Sequence, residues 1–445
     1  MNIAVILAGG KGIRFGSEKP KQFAKLAGKP IIEYTFEKFY LHKSINEIII
    51  VSNENYIDKI RKIVKKFKNK PINIIKGGEN RNESTLNAIR YLDSKMINET
   101  DNILIHDAVR PFVSKRIIDD CIKALNQYKV VDVAIDSTDT LIRVKENKII
   151  EIPHRSEYKR GQTPQAFKFK VLKESYKNIK KEFTCDCSVA FDKGYEVYLV
   201  KGEESNIKIT YPIDIFLAEK FIQMGINTNR TNNNFSKLKG KNILIFGNSS
   251  GIGKEIEIQA KKYEANVYGS SRSNGVDITN MQTVRKFLNE INVKFDIVYV
   301  TAGELIKKTF DELSYEEILS QIQINYIGTI NIAKSIKPYL NKKANVIFFS
   351  SSSYTRGRAE CSIYSSSKAA IVNFTQALAQ EWEKDVIKVN CISPQRTFTP
   401  MRVKNFKDDS LEELLNPKEV ALKSLQVGLS DFSGLILDLK KDINL

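Results

Sequence analysis

Residue types that bind phosphate and residue types that transfer protons occur in separate parts of this 445-residue sequence. Near the start, residues 7–16 read Leu-Ala-Gly-Gly-Lys-Gly-Ile-Arg-Phe-Gly, and Lys19 and Lys21 follow. Glycines let the backbone approach a phosphate chain closely, and the exposed amides then donate to its oxygens. Arg14, Lys19 and Lys21 add positive charge. The spacing matches neither a Walker loop nor the dinucleotide fingerprint, and we predict a site for a nucleoside triphosphate.

A second glycine loop, Gly247–Gly253, has the spacing G-x-x-x-G-x-G between a predicted strand and a predicted helix. The amides at the start of such a helix bind pyrophosphate. The next predicted strand ends at Ser271-Arg272, without an Asp or Glu that could hold a ribose 2′-hydroxyl. Arg272 can pair instead with a 2′-phosphate, which predicts NADPH rather than NADH as the cofactor.

Tyr364 and Lys368 are four residues apart, so on a helix their side chains share one face. A neighbouring ammonium favours the phenolate, and we therefore expect the pKa of Tyr364 to be lowered towards neutral. A tyrosine with such a pKa is a competent acid and base near neutral pH. After residue 240 the sequence has no histidine and only two cysteines, Cys361 and Cys391. A zinc-dependent mechanism therefore lacks its ligands in this half.

The hydrophobic pattern supplies the elements that must position both loops. Buried strands are predicted at 48–51, 103–105, 130–135, 243–246, 297–300 and 346–349. Apolar runs that alternate with helical patterns are typical of α/β layers with mostly parallel sheets. The polar, Asn-rich stretch 225–234 predicts a linker. We therefore predict two three-layer, Rossmann-like α/β domains, at 1–226 and 238–445, with the linker at 227–237.

The first half resembles the nucleotidyltransferases that activate small phosphates with CTP, among them methylerythritol-phosphate and ribitol-5-phosphate cytidylyltransferases. The motifs that carry the resemblance lie, in order, at 7–16, 77–84, 105–112, 139–140 with 155 and 162–167, and 206–210. The resemblance implies a nucleotidyltransferase fold. The implied substrate-binding residues are Leu7, Ala8, Gly9, Gly10, Gly12, Gly78, Arg81, Ser84, Asp107, Arg110, Thr140 and Arg155. Within this set, Thr140 and Arg155 would hold the acceptor phosphate and Ser84 would contact cytosine.

The same resemblance implies the chemistry of the first site. An acceptor phosphate would attack the α-phosphorus of CTP and expel pyrophosphate, a reaction that depends mainly on positioning and on stabilisation of charge. Arg14, Lys21 and Lys208 would act on the phosphate oxygens as catalytic residues. Asp107 would hold Mg²⁺, which usually takes one or two carboxylates together with substrate phosphates.

The second half resembles the short-chain dehydrogenase/reductase family. Besides the glycine loop, the resemblance is carried by Thr301-Ala302-Gly303 after the expected fourth strand, Asn325, Ser350–Ser353, and Tyr364 with Lys368. It implies hydride transfer to a carbonyl, and the implied catalytic residues are Asn325, Ser351, Tyr364 and Lys368. The implied cofactor-binding residues are Gly247, Ser250, Gly251, Ile252, Gly253, Arg272, Asp277, Ala302, Gly303 and Thr399.

Three positions depart from the patterns of these families. Thr184-Cys185-Asp186 stands where Thr-Asp-Asp is common, which leaves the identity of the acceptor open. Phe246 replaces the usual threonine of the second glycine motif, and Pro394-Gln395 replaces Pro-Gly. These changes leave hydride transfer plausible and make the reductase substrate harder to predict.

Composition restricts the partners. The formal net charge is +18 at pH 7, but the lysines of 59–70 are interleaved with apolar residues as on a solvated amphipathic helix. We therefore expect phosphate-bearing small molecules as partners, and no nucleic acid. No apolar run reaches the length of a membrane span, and the first residues predict a buried strand rather than a signal peptide. Five cysteines are too few for a disulfide framework, and we expect a cytoplasmic homodimer.

The two halves together resemble bifunctional enzymes that make CDP-ribitol from ribulose 5-phosphate for capsules or teichoic acids. The reductase would form ribitol 5-phosphate with NADPH, and the cytidylyltransferase would join it to CMP. Three alternatives stay open: methylerythritol phosphate as the acceptor in isoprenoid synthesis, another pentitol or hexitol phosphate, and a basic nucleic-acid-binding protein with decayed nucleotide folds. The intact pairs Tyr364/Lys368 and Lys21/Lys208 argue against decay.

Overall fold

The computed structural model describes residues 1–10, 20–179, 181–224 and 234–441. Four of the predictions above lie outside these residues: Gly12, Arg14, Lys19 and most of the predicted linker. The chain divides into two compact units, Met1–Ala218 and Glu219–Leu445. Among the described residues, no helix combines the length and the apolar composition that crossing a membrane requires.

The first unit is built from eleven strands and seven helices, the last of which extends past residue 218. In chain order they are β1 (Asn2–Ala8), β2 (Lys25–Leu26), β3 (Lys29–Pro30), α1 (Ile31–Leu41), β4 (Glu47–Ser52), α2 (Ile57–Val64), β5 (Ile72–Lys76), α3 (Arg81–Ser94), β6 (Asn102–Asp107), α4 (Lys115–Ala124), β7 (Val130–Asp136), β8 (Arg143–Lys145), β9 (Lys148–Glu151), β10 (Lys159–Lys168), α5 (Phe169–Ser175), α6 (Asp186–Asp192), β11 (Tyr198–Lys201) and α7 (Ile213–Gln223).

Seven of these strands form one sheet in the order β11-β7-β10-β6-β1-β4-β5. Only β10 runs antiparallel to its neighbours, β6 and β7. Apolar side chains on both faces of the sheet form two separate cores, which is why β4 is buried along its whole length. The strands predicted in this half and the mostly parallel sheet are confirmed.

The carboxyl ends of three neighbouring strands place polar residues along one edge of this sheet. Leu7 of β1 pairs with Asp107 of β6, and Ala8 pairs with Ser52 of β4. The beginning of the first glycine loop and the predicted metal carboxylate therefore lie on adjacent strands. This edge is where open α/β sheets bind ligands.

The second unit alternates strands and helices through its length. In chain order they are β12 (Asn242–Phe246), α8 (Gly251–Lys262), β13 (Asn266–Ser270), α9 (Met281–Ile291), β14 (Phe295–Val300), α10 (Tyr315–Ile322), α11 (Gly328–Ile336), β15 (Leu340–Phe349), α12 (Ser362–Glu381), β16 (Lys388–Pro394), α13 (Pro400–Asn405), α14 (Pro417–Gly428) and β17 (Ile436–Leu439). A π-helical turn, Gln323–Ile327, lies between α10 and α11.

Its six strands form an entirely parallel sheet in the order β13-β12-β14-β15-β16-β17. The strand order reverses at β12, so a crevice opens beyond the carboxyl ends of β12 and β14. The strands predicted in this half and the Rossmann-like architecture are confirmed. One detail was wrong: Thr301 follows the third strand of the unit, because the chain between β13 and β14 forms a short turn and α9 instead of a strand.

Candidate active sites

Asp107 lies at the carboxyl end of β6, buried among three cationic side chains. Arg81 Nη1 donates to its Oδ1, Lys208 Nζ lies 2.8 Å from Oδ2, and Arg110 Nε lies 3.7 Å from Oδ2. Burial would raise the pKa of Asp107, but Arg81 and Lys208 hold it well below its usual range. The carboxylate is therefore ionised at neutral pH. The structure thus brings together four residues predicted from the sequence: Arg81, Asp107, Arg110 and Lys208.

Asp186 holds Arg81 from the opposite side, a role that the sequence did not indicate. Its Oδ2 accepts from Arg81 Nη2 at 2.7 Å, and its Oδ1 accepts from the hydroxyls of Thr85 at 2.7 Å and Tyr176 at 2.6 Å. Asp107 holds one terminal nitrogen of Arg81 and Asp186 holds the other, and Thr85 and Tyr176 fix Asp186 in turn. The guanidinium of Arg81 therefore has one orientation. The departure at Thr184-Cys185-Asp186 therefore retains the carboxylate that positions Arg81.

Ser84, on the first turn of α3, connects two of the predicted loops. Its side chain is buried; Oγ accepts from the amide of Gly78 at 3.1 Å and donates to the carbonyl of Asn80 at 2.9 Å. A β-carbon at Gly9 would lie 3.4 Å from the same oxygen. The hydroxyl thus fixes the loop before α3 against the end of β1, next to the predicted phosphate loop.

Gln22 ties the segment of Lys21 to the phosphate loop. Its buried side-chain amide donates to the carbonyl of Ala8 at 2.8 Å and to that of Gly10 at 3.4 Å. Lys21 is therefore held beside the end of β1. The sequence placed Gln22 within the basic stretch but gave it no role, because only the fold shows which carbonyls it can reach.

Thr140 and Arg155, the predicted acceptor-binding residues, lie on either side of the β8–β9 hairpin. Both are exposed, and the guanidinium of Arg155 donates a hydrogen bond to the carbonyl of Thr138 at 3.1 Å. The structure therefore leaves these two side chains open to solvent, whereas Asp107 and Arg81 are enclosed.

The second glycine loop packs closely against the segment after β14. Gly247 has φ +97°, and a β-carbon there would lie 2.6 Å from the amide nitrogen of Ala302. Only glycine satisfies both conditions. Ser250 then precedes α8, so the first amides of this helix face the crevice at the switch point of the sheet.

Ser351, Tyr364 and Lys368 meet at the carboxyl end of β15. Tyr364 shares a hydrogen bond with Ser351. Lys368, one turn further along α12, is buried, and its ammonium lies 5.7 Å from the centre of the Tyr364 ring and donates to the carbonyl of Phe349 at 3.0 Å. The predicted catalytic group is therefore assembled, with the lysine directed towards the backbone.

The predicted lowering of the pKa of Tyr364 is wrong for the chain without ligands. Burial raises the pKa of Tyr364 to about 12, and the hydrogen bond with Ser351 offsets only part of this effect. Burial also lowers the pKa of Lys368 to about 8, and its ammonium, 5.7 Å from the centre of the Tyr364 ring, does not offset the effect of burial on the tyrosine. Tyr364 is consequently protonated at neutral pH and is able to donate a proton.

Asn325 lies in the π-helical turn rather than in a regular helix. Its side chain donates to the carbonyl of Glu304 at 2.8 Å and accepts from the amide of the same residue at 2.9 Å. A β-carbon at Gly303 would lie 3.0 Å from Asn325 Oδ1 and 3.3 Å from Lys368 Nζ. Asn325 thus fixes the loop after β14 beside the lysine.

Arg272 lies just after β13, and Asp277 follows it across a short turn. Asp277 Oδ1 accepts from the amide of Thr279 at 2.9 Å and from its hydroxyl at 2.8 Å. The amide of Thr279, and to a smaller degree the charge of Arg272, lower the pKa of Asp277. Arg272 is exposed, in the position predicted for a contact with a 2′-phosphate.

One cavity of about 810 Å³ joins these groups. All ten predicted cofactor-binding residues line it, as do Ser351, Tyr364 and Lys368. This volume suits a ligand of the size of a dinucleotide together with a small substrate. Sequence reasoning missed five basic residues of the lining, which belong to no recognised motif: Lys307, Arg358, Arg396, Arg402 and Lys404.

The first site offers a single carboxylate for a metal ion. Within the described residues no three His, Cys, Asp or Glu side chains cluster as ligands. Asp107 is ionised, and its partner Lys208 is 40% exposed and able to turn away. This arrangement fits a hard cation that takes most of its ligands from substrate phosphates.

Comparison with known proteins supports both halves separately. The family model of 2-C-methyl-D-erythritol 4-phosphate cytidylyltransferase matches residues 2–224, and that of short chain dehydrogenases matches residues 241–410. A 2-C-methyl-D-erythritol 4-phosphate cytidylyltransferase of Thermosipho melanesiensis is 49% identical over 220 residues, which cover 49% of this chain and 96% of that protein. A crystal structure of 4-diphosphocytidyl-2C-methyl-D-erythritol synthase from Anaerococcus prevotii has 30% identity and a TM-score of 0.44, covering 50% of this chain and 98% of that one.

One relative matches both halves at once. A protein of Haemophilus influenzae, described as a bifunctional ribulose 5-phosphate reductase/CDP-ribitol pyrophosphorylase, is 44% identical over 453 residues. The alignment covers 98% of this chain and 95% of the relative. The resemblances found in the sequence are therefore confirmed, and the order of the two domains is shared with that protein.

Proposed function

This chain belongs to the family of bifunctional ribulose 5-phosphate reductases/CDP-ribitol pyrophosphorylases, and on that premise we propose which reaction each of its two units catalyses. The second unit reduces D-ribulose 5-phosphate to D-ribitol 5-phosphate. The first unit transfers CMP from CTP to that product and releases pyrophosphate. The observation that carries the proposal is an assembled Ser351–Tyr364–Lys368 group and an ionised Asp107 cluster in one chain that aligns with such an enzyme almost throughout.

The reductase cavity provides the proton that ketone reduction requires. NADPH, when bound, supplies the hydride for the carbonyl carbon. Tyr364 donates its hydroxyl proton to the carbonyl oxygen, and its pKa of about 12 keeps it protonated until the oxygen becomes basic. Ser351, which shares a hydrogen bond with Tyr364, orients the same oxygen. Lys368 lies where the ribose of a cofactor in the crevice would reach it.

The preference for NADPH rests on Arg272. The guanidinium is exposed at the end of β13, and a 2′-phosphate on the cofactor would make a charge-assisted, bidentate contact with it. Neither Arg272 nor its neighbours Ser271 and Ser273 supplies a carboxylate for a free 2′-hydroxyl. Asp277, further along the turn, is already occupied by Thr279.

The cytidylyltransferase site provides positive charge where phosphate oxygens must be held. Lys208 and Arg81 surround Asp107, and Gln22 holds the segment of Lys21 against the phosphate loop. Bound Mg²⁺ would neutralise charge on the CTP phosphates, with Asp107 as its one protein carboxylate. Lys208 would then turn from Asp107 to the phosphate oxygens, which a half-exposed side chain is free to do.

We also infer that the chain forms a homodimer through the β8–β9 hairpin. Five aliphatic side chains on and beside it are each at least half exposed: Ile142, Val144, Ile149, Ile150 and Ile152. So many neighbouring aliphatic groups mark an interaction surface, and a second copy would cover them and enclose Thr140 and Arg155. Sedimentation should give a dimer that Ile149→Asp weakens; a wild-type monomer at micromolar concentration would contradict the inference.

The function is tested by following both reactions in one preparation. With ribulose 5-phosphate, NADPH, CTP and Mg²⁺, the enzyme should oxidise NADPH and form CDP-ribitol with pyrophosphate. NADH should be a poorer reductant, and a chelator should stop only the release of pyrophosphate. Methylerythritol phosphate is the critical comparison for the first unit, because the half-length relatives are named for it. Equal or faster use of that acceptor would overturn ribitol 5-phosphate as the substrate.

A further inference from the structure

The reductase cavity has a basic region next to the predicted dinucleotide-binding residues, where the amide of Arg402 donates to Thr399 Oγ1 at 3.3 Å. Its lining there includes Lys307, Arg358, Arg396, Arg402 and Lys404, whereas Glu304 and Glu360 are the acidic residues of the same part. Arg396 is engaged by Glu413 at 3.2 Å, and Lys307 by Glu360 at 3.1 Å. Five basic residues against two acidic ones leave this part of the lining positively charged, which favours an anionic ligand.

Arg402, on α13, is the most rigidly held of these cations. Its Nε donates to the carboxylate of Asp409 at 2.5 Å, and its guanidinium carbon lies 3.4 Å from the centre of the Phe406 ring. The side chain is only 18% exposed. Among the described residues, none accepts a hydrogen bond from its two terminal nitrogens. A guanidinium fixed at Nε presents those nitrogens as a planar fork, the geometry that binds phosphate.

Arg402 also lies close to the reacting group. Arg402 lines the same cavity as Tyr364 and as Cys361, at the start of α12. Lys307 contacts the same aromatic ring as Arg402, since its ammonium lies 5.1 Å from the centre of the Phe406 ring. Both cations therefore converge on Phe406, at one corner of the cavity that Tyr364 also lines.

We propose that Arg402, assisted by Lys307, binds the phosphate group of the ketose phosphate in the reductase cavity. This inference rests on the proposed reduction of a phosphorylated ketose and identifies what selects the phosphorylated substrate. Asp409 and Phe406 are positioning residues that orient the guanidinium. Holding the phosphate at this corner leaves the carbonyl of the sugar free to reach Tyr364.

Arg402→Gln in the full-length enzyme tests the site. The KM for ribulose 5-phosphate should rise about 10- to 100-fold, as expected for loss of hydrogen bonds to a charged group, with little change in kcat. Reduction of unphosphorylated D-ribulose, slow in the wild type, should keep its kcat/KM. Arg402→Lys, which keeps the charge and loses the fork, should fall between. Arg356→Gln, an exposed arginine two residues from Arg358 and outside the cavity lining, is the matched control and should leave KM unchanged.

The possible results distinguish a failure of the phosphate site from a failure of the proposed reduction of ribulose 5-phosphate. A wild-type enzyme that reduces no ribulose 5-phosphate would overturn the proposed function. A wild-type enzyme that does so, with an unchanged KM in Arg402→Gln, would overturn the phosphate site alone. Equal losses on D-ribulose, or weaker NADPH binding in the variant, would also overturn it, since Arg402 would then support the fold or the cofactor. Retained NADPH binding and retained reduction of D-ribulose show that the second unit, which contains Arg402, is folded in the variant.

Discussion

Tyr364→Phe is expected to slow ribulose 5-phosphate reduction at least ~10²-fold, the lower end for loss of a positioned acid. Hydride addition creates an alkoxide, which needs a proton from a group within hydrogen-bond reach. The second unit has no histidine, and Tyr364 is the hydroxyl that is both hydrogen-bonded to Ser351 and protonated at neutral pH. Phenylalanine keeps the ring in its packed position and removes only the hydroxyl, so the fold and NADPH binding should persist.

The measurement follows NADPH oxidation and CTP-dependent pyrophosphate release on the same preparation. Ribitol 5-phosphate is supplied for the second assay, which should run at the wild-type rate. Tyr326→Phe, a tyrosine that packs against Phe374 and does not line the cavity, is the control for a lost hydroxyl and should be active in both assays. Reduction by Tyr364→Phe at nearly the wild-type rate would show that another group donates the proton.

Lys208→Met is expected to lower cytidylyl transfer by about 10²- to 10³-fold, the range for loss of one group that stabilises developing charge. The ammonium lies 2.8 Å from Asp107 and is 40% exposed, so it is placed at the boundary between the buried cluster and the substrate. Methionine preserves much of the length and volume of the side chain. Asp107 keeps Arg81 as a partner, and the cluster should therefore remain folded.

Pyrophosphate release from CTP and ribitol 5-phosphate measures this effect, and reduction of ribulose 5-phosphate serves as the internal control. Lys193→Met removes an exposed lysine at the end of α6, away from Asp107, and should leave both rates unchanged. If Lys208→Met transfers CMP at the wild-type rate, the lysine only neutralises Asp107 in the free enzyme. A loss of both activities would indicate that the substitution disturbs more than the first site.

Short-range patterns were sufficient to predict most of the architecture. Runs such as Ile48–Val51 and Val346–Phe349 contain several consecutive apolar residues, which in a parallel sheet covered on both faces can only be buried strands. The spacing of the glycines in the loop Gly247–Gly253 is sufficient to place this loop at the start of a helix. The spacing of Tyr364 and Lys368 is likewise sufficient to place both side chains on one face of a helix. The strand expected between β13 and β14 was wrong, because a short turn and α9 connect these two strands directly.

The chemistry of the sites depended instead on contacts between residues far apart in the chain. Asp186 fixes Arg81 across 105 positions, and Gln22 reaches the carbonyl of Ala8 only because the two segments fold together. The pKa of Tyr364 was predicted in the wrong direction, since sequence spacing shows the nearby lysine but not the burial of the tyrosine itself, which raises its pKa. Arg402 belongs to no motif, and only its fixed place beside Phe406, in the cavity of Tyr364, indicates a phosphate site. The sequence alone thus determined which residues form the sites and on which helices, strands and loops they lie. Burial and contacts between distant residues determined the protonation and the orientation of these side chains, because both depend on the surroundings that only the folded chain provides.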